Sequence, residues 1–160
     1  MNHVFGIAPG SAKGDRVTTN REVFEALPKA FLPALLLSGG IEAAEAAVMD
    51  AIAALEFDYH PCGTLLLESV KSATRRRAAF PNPSKQALSI LPLELRRVLL
   101  LARDNRHCFV LRILLGMTPE TSARILNRSV HEVEEALLTG LQNLPSPEDG
   151  AWSSAACLSA

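Results

Sequence analysis

The residues best suited to chemistry in this sequence are charged side chains, and they are distributed unevenly along the chain. Seven arginines lie in the stretch just before the last predicted helix: Arg96, Arg97, Arg103, Arg106, Arg112, Arg124 and Arg128. The acidic residues that follow them, with no further Lys or Arg, are Glu132, Glu134, Glu135, Glu148 and Asp149. Guanidinium groups bind phosphates and carboxylates, whereas carboxylates repel phosphates. The pattern therefore predicts a basic region that contacts phosphate or an acidic partner, or is simply solvated, followed by an acidic segment.

The sequence contains no recognisable catalytic constellation. Its histidines are scattered singly, at His3, His60, His107 and His131. Neither a HExxH zinc motif nor a GxxxxGK[ST] phosphate loop occurs. Cys108 falls in an apolar segment, which is typical of a core residue rather than a nucleophile. We predict that the protein is not an enzyme and uses neither a metal nor a cofactor.

Composition favours a helical protein of the cytoplasm. Of its 160 residues, 48% are hydrophobic but only 5% aromatic, and the excess is Ala and Leu, which form helices rather than strands. The net charge of −1 gives no overall attraction to nucleic acid or membrane. Three widely spaced cysteines without a CxxC pair favour a reducing compartment. No signal peptide or membrane-spanning run is recognisable, so we expect a cytoplasmic protein without membrane contact.

We expect an all-α fold of two small helical modules joined by a Pro-containing linker, with a helix-turn-helix in the second. The predicted division is a flexible lead at 1–18, a first module at 19–77, a linker at 78–90, a second module at 91–144 and a flexible tail at 145–160. The linker lacks helical periodicity and contains Pro81 and Pro83, which is typical of a segment between domains.

The first module is predicted to contain three helices. Thr19 and Glu22 have the spacing of a capping box, so the first helix is expected to begin there and to kink or split at Pro28 and Pro33. A second helix is predicted over 42–55. A third, capped by Thr64, is predicted to follow a loop at 57–63 and to end at Arg77.

The second module is predicted to open at Leu91-Pro92 and to break at Asp104-Asn105. A short helix capped by Thr118 and ending near Leu126, a tight turn, and a last helix capped by Ser129 form the expected helix-turn-helix. Any helical hairpin is the alternative. The expected inward positions of the last helix are Val130, Val133, Leu137, Leu141 and Leu144. Its expected outward face is His131, Glu132, Glu135, Thr139 and Gln142, with Glu134 at the margin.

Several segments resemble sigma-70-family factors of the extracytoplasmic-function group. Those that resemble region 4 are 91–97, 109–112, 116–118, 123–126 and 129–133, and those that resemble region 2 are 44–52 and 65–77. The resemblance covers roughly residues 20–144. It implies a two-module helical fold, RNA polymerase as partner and promoter DNA as ligand.

The chain departs from that family at functional positions. Where the family has an acidic residue and a Gln that grip polymerase, this chain has Ala46 and Met49. Aromatic residues that could stack on single-stranded bases are limited to Phe57 and Tyr59 in a predicted loop. The triplet Arg75, Arg76 and Arg77 is able to contact phosphate, but equally complements a helix dipole. The outward face of the last helix carries carboxylates where a DNA-reading helix needs cations.

Three hypotheses follow. The first is a sigma-factor-like regulator acting in transcription initiation through polymerase and possibly DNA. The second is a sigma mimic that binds an anti-sigma or similar protein without reading DNA. The third is a helical interaction module unrelated to transcription. The residues expected to contact a partner or phosphate are Arg75, Arg76, Arg77, Arg96, Arg97, Arg112, Arg124 and Arg128.

Overall fold

The computed structural model describes residues 12–55, 61–76 and 83–144, with side chains from 21–55, 63–76 and 83–144. Every regular element within these ranges is helical, which confirms the all-α prediction. The helices are α1 (Ala12–Ser38), α2 (Ile41–Ala54), α3 (Pro61–Arg75), α4 (Lys85–Ile90), α5 (Leu93–Leu100), α6 (Arg103–Phe109), α7 (Pro119–Leu126) and α8 (Val130–Gln142). A π-helical segment, Val110–Leu114, continues α6.

Helix α1 is longer and more continuous than predicted. It begins at Ala12, so Thr19 lies inside the helix rather than capping it, and 12–18 are helical rather than a flexible lead. It also runs through Pro28 and Pro33 as one element. A helix that packs on its neighbours tolerates the loss of a backbone hydrogen bond, because tertiary burial supplies most helical stability.

Helices α1, α2 and α3 pack together through small side chains. Ala30 and Ala34 of α1, Ala44 and Ala47 of α2 and Ala73 of α3 are all completely buried. Alanine at these positions lets the helix backbones approach closely. The third helix begins at Pro61 and ends at Arg75, so the predicted cap at Thr64 and the loop at 61–63 were wrong; residues 57–60 lie outside the described residues.

Part of the predicted linker is a helix. The Ser84 side chain accepts a hydrogen bond from the Ala87 N–H at 3.1 Å, which caps α4, and Ala87 is buried. The Ser84 N–H donates to the carbonyl oxygen of Gly39 at 2.9 Å. The prolines in this segment indicated a linker, and the serine cap that follows them was not predicted. Residues 77–82 lie outside the described residues.

Helices α1 to α3 form a first group and helices α5 to α8 a second. In the second group the helix is interrupted at Leu101-Ala102, between α5 and α6. The predicted break, Asp104-Asn105, lies within α6. The π-helical segment closes with the Leu115 N–H donating to Val110 O at 3.0 Å. Gly116 follows at φ +61°, a conformation that side chains with a Cβ rarely adopt. This turn redirects the chain into α7.

The two groups of helices share one hydrophobic core. Leu35, Leu36 and Leu37 at the end of α1 belong to the same buried cluster as Leu99 of α5 and Leu111 of the π-helical segment. All five are at most 1% exposed. The segments predicted as separate modules therefore pack directly against each other.

Two buried polar side chains of α6 join these groups. The Arg106 guanidinium donates from Nη1 to Leu99 O at 2.8 Å and from Nη2 to Leu37 O at 3.4 Å. His107 Nε2 lies 2.9 Å from the same Leu37 oxygen; because a carbonyl only accepts, Nε2 carries the proton. Both carbonyls lie in the last turn of a helix, where backbone oxygens lack partners within the helix. One cationic side chain thus complements two helix C-termini.

Replacing Arg106 is expected to loosen this junction. In Arg106→Met the apolar stem is retained, but Leu37 O and Leu99 O lose charged donors while remaining buried. We expect the free energy of unfolding to fall by about 2 kcal/mol, measured by urea denaturation. Arg124→Met, at an exposed position of α7, is the matched control and is expected to stay within about 0.5 kcal/mol of wild type. Equal midpoints for the two variants would contradict the assigned role.

His107 is expected to make stability depend on pH. Burial, reinforced by Arg106 and Arg103 against the opposing Leu37 carbonyl and Asp104, lowers the pKa of His107 from 6.5 to about 4. Between these values the unfolded chain binds the proton and the folded chain does not, so acidification favours unfolding. Wild type should lose about 3 kcal/mol more than His107→Gln as pH falls from 6.5 to 4. Parallel stability curves for the two proteins would overturn this expectation.

Candidate functional site

Helix α7 begins and ends where the sequence predicts. The Thr118 side chain accepts a hydrogen bond from the Thr121 N–H at 3.2 Å, and Pro119 occupies the first helical position. Asn127 ends the helix in the left-handed conformation at φ 53°, which Asn tolerates better than most residues. A three-residue turn, 127–129, then leads into α8.

Helix α8 begins after the cap predicted at Ser129, and the structure shows that this cap is a complete capping box with Glu132. The Glu132 N–H donates to Ser129 Oγ at 3.2 Å, and Glu132 Oε2 accepts from the Ser129 N–H at 2.8 Å. The Ser129 hydroxyl, followed by its backbone N–H, lowers the pKa of Glu132. Glu132 is exposed, but its carboxylate is engaged in starting the helix.

The inward side of α8 is narrower than predicted. Val133 is completely buried with Cys108 and Ala123, and Ala136 and Leu137 pack against the same cluster. Gly140 completes this side: a Cβ added there would lie 3.2 Å from Asn105 Cβ. The helix therefore contacts α6 closely along one stripe.

Two expected inward positions were wrong, because the contact with α6 is centred on Val133 and Gly140. Val130 is 38% exposed and Leu141 is 46% exposed. At 100° per residue these positions lie at the edge of the contact and face solvent. Leu137 and Leu144 are partly buried against the core, as expected.

The exposed edge of α8 forms an acidic–apolar strip, which comprises Val130, Glu134, Leu138 and Leu141. These residues follow one another at helical spacing, and Leu138 is 60% exposed. The five predicted outward residues, His131, Glu132, Glu135, Thr139 and Gln142, are also exposed. The exposed carboxylates were predicted, whereas Leu138 was not identified and Leu141 was expected to face inward. The exposed surface of α8 thus combines negative charge with large apolar side chains.

Four of the predicted contact arginines are occupied within the fold. Arg76 pairs with Asp50 at 2.6 Å, and Arg128 pairs with Asp104 at 2.6 Å. Arg96 Nε donates to Leu91 O at 2.7 Å, and Arg112 Nη1 donates to the Met117 carbonyl. These guanidiniums hold backbone turns and neighbouring helices together, which lowers their availability for an external phosphate.

The other predicted arginines do not form one continuous basic face. Arg75 ends α3 and Arg124 lies on α7, and both are exposed, whereas Arg97 is partly buried. Arg77 lies outside the described residues. The positive charge is therefore dispersed over several elements.

Ala46 and Met49, the positions that we expected to correspond to the polymerase-gripping residues of sigma factors, lie on α2. Met49 is 63% exposed, whereas Ala46 is partly buried and its carbonyl oxygen accepts from Arg76 Nη2 at 3.4 Å. The neighbouring Asp50 accepts from Arg76 and Ser72, each at 2.6 Å. Phe57 and Tyr59, the predicted base-stacking residues, lie outside the described residues.

The described residues include no cluster of three or more His, Cys, Asp or Glu able to hold a metal ion. Cys108 is completely buried and unbridged, and burial, opposed by Arg128, raises the pKa of its thiol. Such a thiol is poorly nucleophilic, since the thiolate is the reactive form. None of the helices in the described ranges has the length and hydropathy to cross a bilayer.

Comparison with known proteins yields no relative: the chain matches no protein-family model, no curated protein and no solved structure. The resemblance to sigma factors therefore rests on the residues of the sequence itself.

Proposed function

We propose that this chain is a sigma-factor-like regulator of transcription initiation that acts as a mimic: it binds an anti-sigma-like protein through α8 and does not read promoter DNA. The observation that carries the proposal is the acidic–apolar strip. In a DNA-binding helix-turn-helix the second helix enters the major groove with cations and amide donors. Here the corresponding helix exposes carboxylates and leucines.

The strip has the chemistry of a protein-binding surface. Leu138 and Leu141 supply apolar area that a partner would remove from water, and Val130 extends this area toward the start of the helix. Glu134 and Glu135 flank it with negative charge. An amphipathic helix with a basic rim is complementary in both respects, and charge complementarity selects partners and accelerates their encounter.

Electrostatics disfavour DNA as the ligand of this surface. A groove-binding helix gains affinity by replacing cations condensed on the phosphates, which requires Lys or Arg. Beyond Arg128, the nearest cation before α8, the sequence has neither residue. Arg128 itself is paired with Asp104.

Direct contact with core RNA polymerase through α2 is a second candidate. Exposure of Met49 beside the exposed Glu45 favours it, since these residues lie on the helix that resembles the polymerase-binding segment. The two candidates use different helices, so separate substitutions distinguish them.

Disrupting the strip is expected to abolish partner binding. The full-length tagged chain, cross-linked in the organism that carries the gene, should capture an anti-sigma-like protein. In the double variant Leu138→Glu with Leu141→Glu, capture should fall at least about tenfold, because the apolar contact is lost and like charges are added. The measurement is quantitative mass spectrometry of the captured proteins.

Ile90→Glu is the matched control, because Ile90 is 55% exposed but lies on α4. It should capture the partner like wild type. Equal capture by the double variant would exclude α8 as the binding surface. Capture of core polymerase that is lost only in Met49→Glu would favour the second candidate instead.

Reversing the charge of Glu134, in the strip, and of Glu135, beside it, should create weak DNA affinity. Glu134→Lys with Glu135→Lys leaves the capping box intact, whereas a change at Glu132 would remove it. In fluorescence anisotropy with duplex DNA, wild type should not bind, and the variant should bind more weakly as salt rises. Glu42→Lys with Glu45→Lys, the same reversal on α2, is the control and should gain less. Binding by wild type equal to that of the variant would contradict the proposal.

A further inference from the structure

A cleft of about 300 Å³ lies where the two groups of helices meet. Its polar lining comes from the end of α3, the start of α6 and the turn before α8. These residues are Thr74, Arg75, Arg103, Asp104, Asn127 and Arg128. Ile125 and Leu126 of α7 add an apolar wall.

The polar lining of the cleft has an excess of positive charge. It holds three guanidinium groups, and Asp104 is the only carboxylate among its described lining residues. Asp104 is paired with Arg128 at 2.6 Å, so it neutralises one of the three. Arg103 Nη2 donates to Arg76 O at 3.1 Å, at the end of α3, and none of the ion pairs among the described residues involves Arg103. Placing these cations together costs free energy that a bound anion would recover.

Arg103 also affects the buried side chains behind the cleft. His107 lines the cleft, and its pKa is lowered first by burial and then also by Arg106 and Arg103. Burial, followed by Arg103, likewise lowers the pKa of Arg106 to about 10. Burial is the main cause of both shifts in pKa, and the charge of Arg103 adds to each of them.

We propose that this cleft binds a phosphorylated small molecule, with its phosphoryl oxygens held by Arg75 and Arg103. The planar guanidinium presents several N–H donors in a fork that matches phosphate oxygens. The cleft volume falls at the lower end of that of small-molecule sites. Ile125 and Leu126 offer a surface for the organic part of such a ligand.

A ligand at this position would link the two groups of helices. Arg75 belongs to the first group, whereas Arg103 and Arg128 belong to the second. Because the ligand would bind the folded chain and not the unfolded one, it would raise the temperature of unfolding. The site is separate from the acidic–apolar strip, so it goes beyond the proposed function.

The test uses the full-length chain with inorganic pyrophosphate as probe, at constant ionic strength. We expect saturable binding of one equivalent by calorimetry and a rise in the unfolding temperature. Arg75→Gln should weaken binding about tenfold, the effect of losing roughly 1.4 kcal/mol of charged contact. Arg103→Gln should weaken it similarly, and its unfolding curve without ligand shows whether the chain still folds.

Two further variants separate a binding role from a structural one. Arg124→Gln removes an exposed arginine that is not among the lining residues of the cleft and should bind like wild type. Asp104→Asn frees Arg128 from its ion pair and removes the opposing charge, so it should bind pyrophosphate more tightly than wild type. If the ion pair between Arg128 and Asp104 had only a structural role, breaking it would not tighten the binding of pyrophosphate.

Absence of saturable pyrophosphate binding would overturn the proposal, as would equal losses in Arg75→Gln and Arg124→Gln. Stronger binding of a short duplex DNA through the same arginines would assign the cleft to nucleic acid and overturn it as well. Leu138→Glu with Leu141→Glu should leave pyrophosphate binding unchanged, because those residues lie outside the cleft. Failure of this site and failure of partner binding through α8 are therefore distinguishable.

Discussion

The fold depends on the side chains that donate hydrogen bonds to the backbone carbonyl oxygen of Leu37, at the C-terminus of α1. The Leu37 carbonyl accepts hydrogen bonds from both Arg106 and His107, and Arg106 also reaches Leu99 at the end of α5. Among the described residues no ion pair involves Arg106. Its positive charge is instead stabilised by backbone carbonyl oxygens and by the dipoles of the helices that end there. Burying this cation costs free energy, and the hydrogen bonds from Nη1 and Nη2 to the two carbonyl oxygens offset part of that cost. These hydrogen bonds fix α6 against α1 and α5 together.

That junction determines which surfaces remain for function. With α6 fixed, α8 packs on it through Val133 and Gly140, and the opposite edge of α8 faces solvent. Three other arginines already have partners within the fold. Arg76 is paired with Asp50, and Arg96 and Arg112 donate hydrogen bonds to backbone carbonyl oxygens. What remains exposed on α8 is negative and apolar. Arg75 and Arg103 line the cleft where the two groups of helices meet.

Local signals in the sequence predicted local structure well. Thr118, Pro119 and Ser129 marked the starts of α7 and α8, because capping residues satisfy backbone N–H groups within one turn. The exposure of Glu135 and Gln142 also followed from helical periodicity. The same reasoning failed at Thr19, where a capping pattern lies inside α1, because a long helix stabilised by packing overrides a local start signal.

Sequence by itself determined the helical class, the turn-flanked pair α7 and α8, and the absence of cations after Arg128, since these depend on residue type and near neighbours. Only the tertiary structure decided that Leu138 and Leu141 are exposed and that Arg106 is buried, because the direction from which α6 and α1 approach is a property of distant contacts. It likewise brought Arg75 together with Arg103 and Arg128, which are far apart in the chain. Periodicity shows which residues share a helix face, but it does not show which neighbour covers that face.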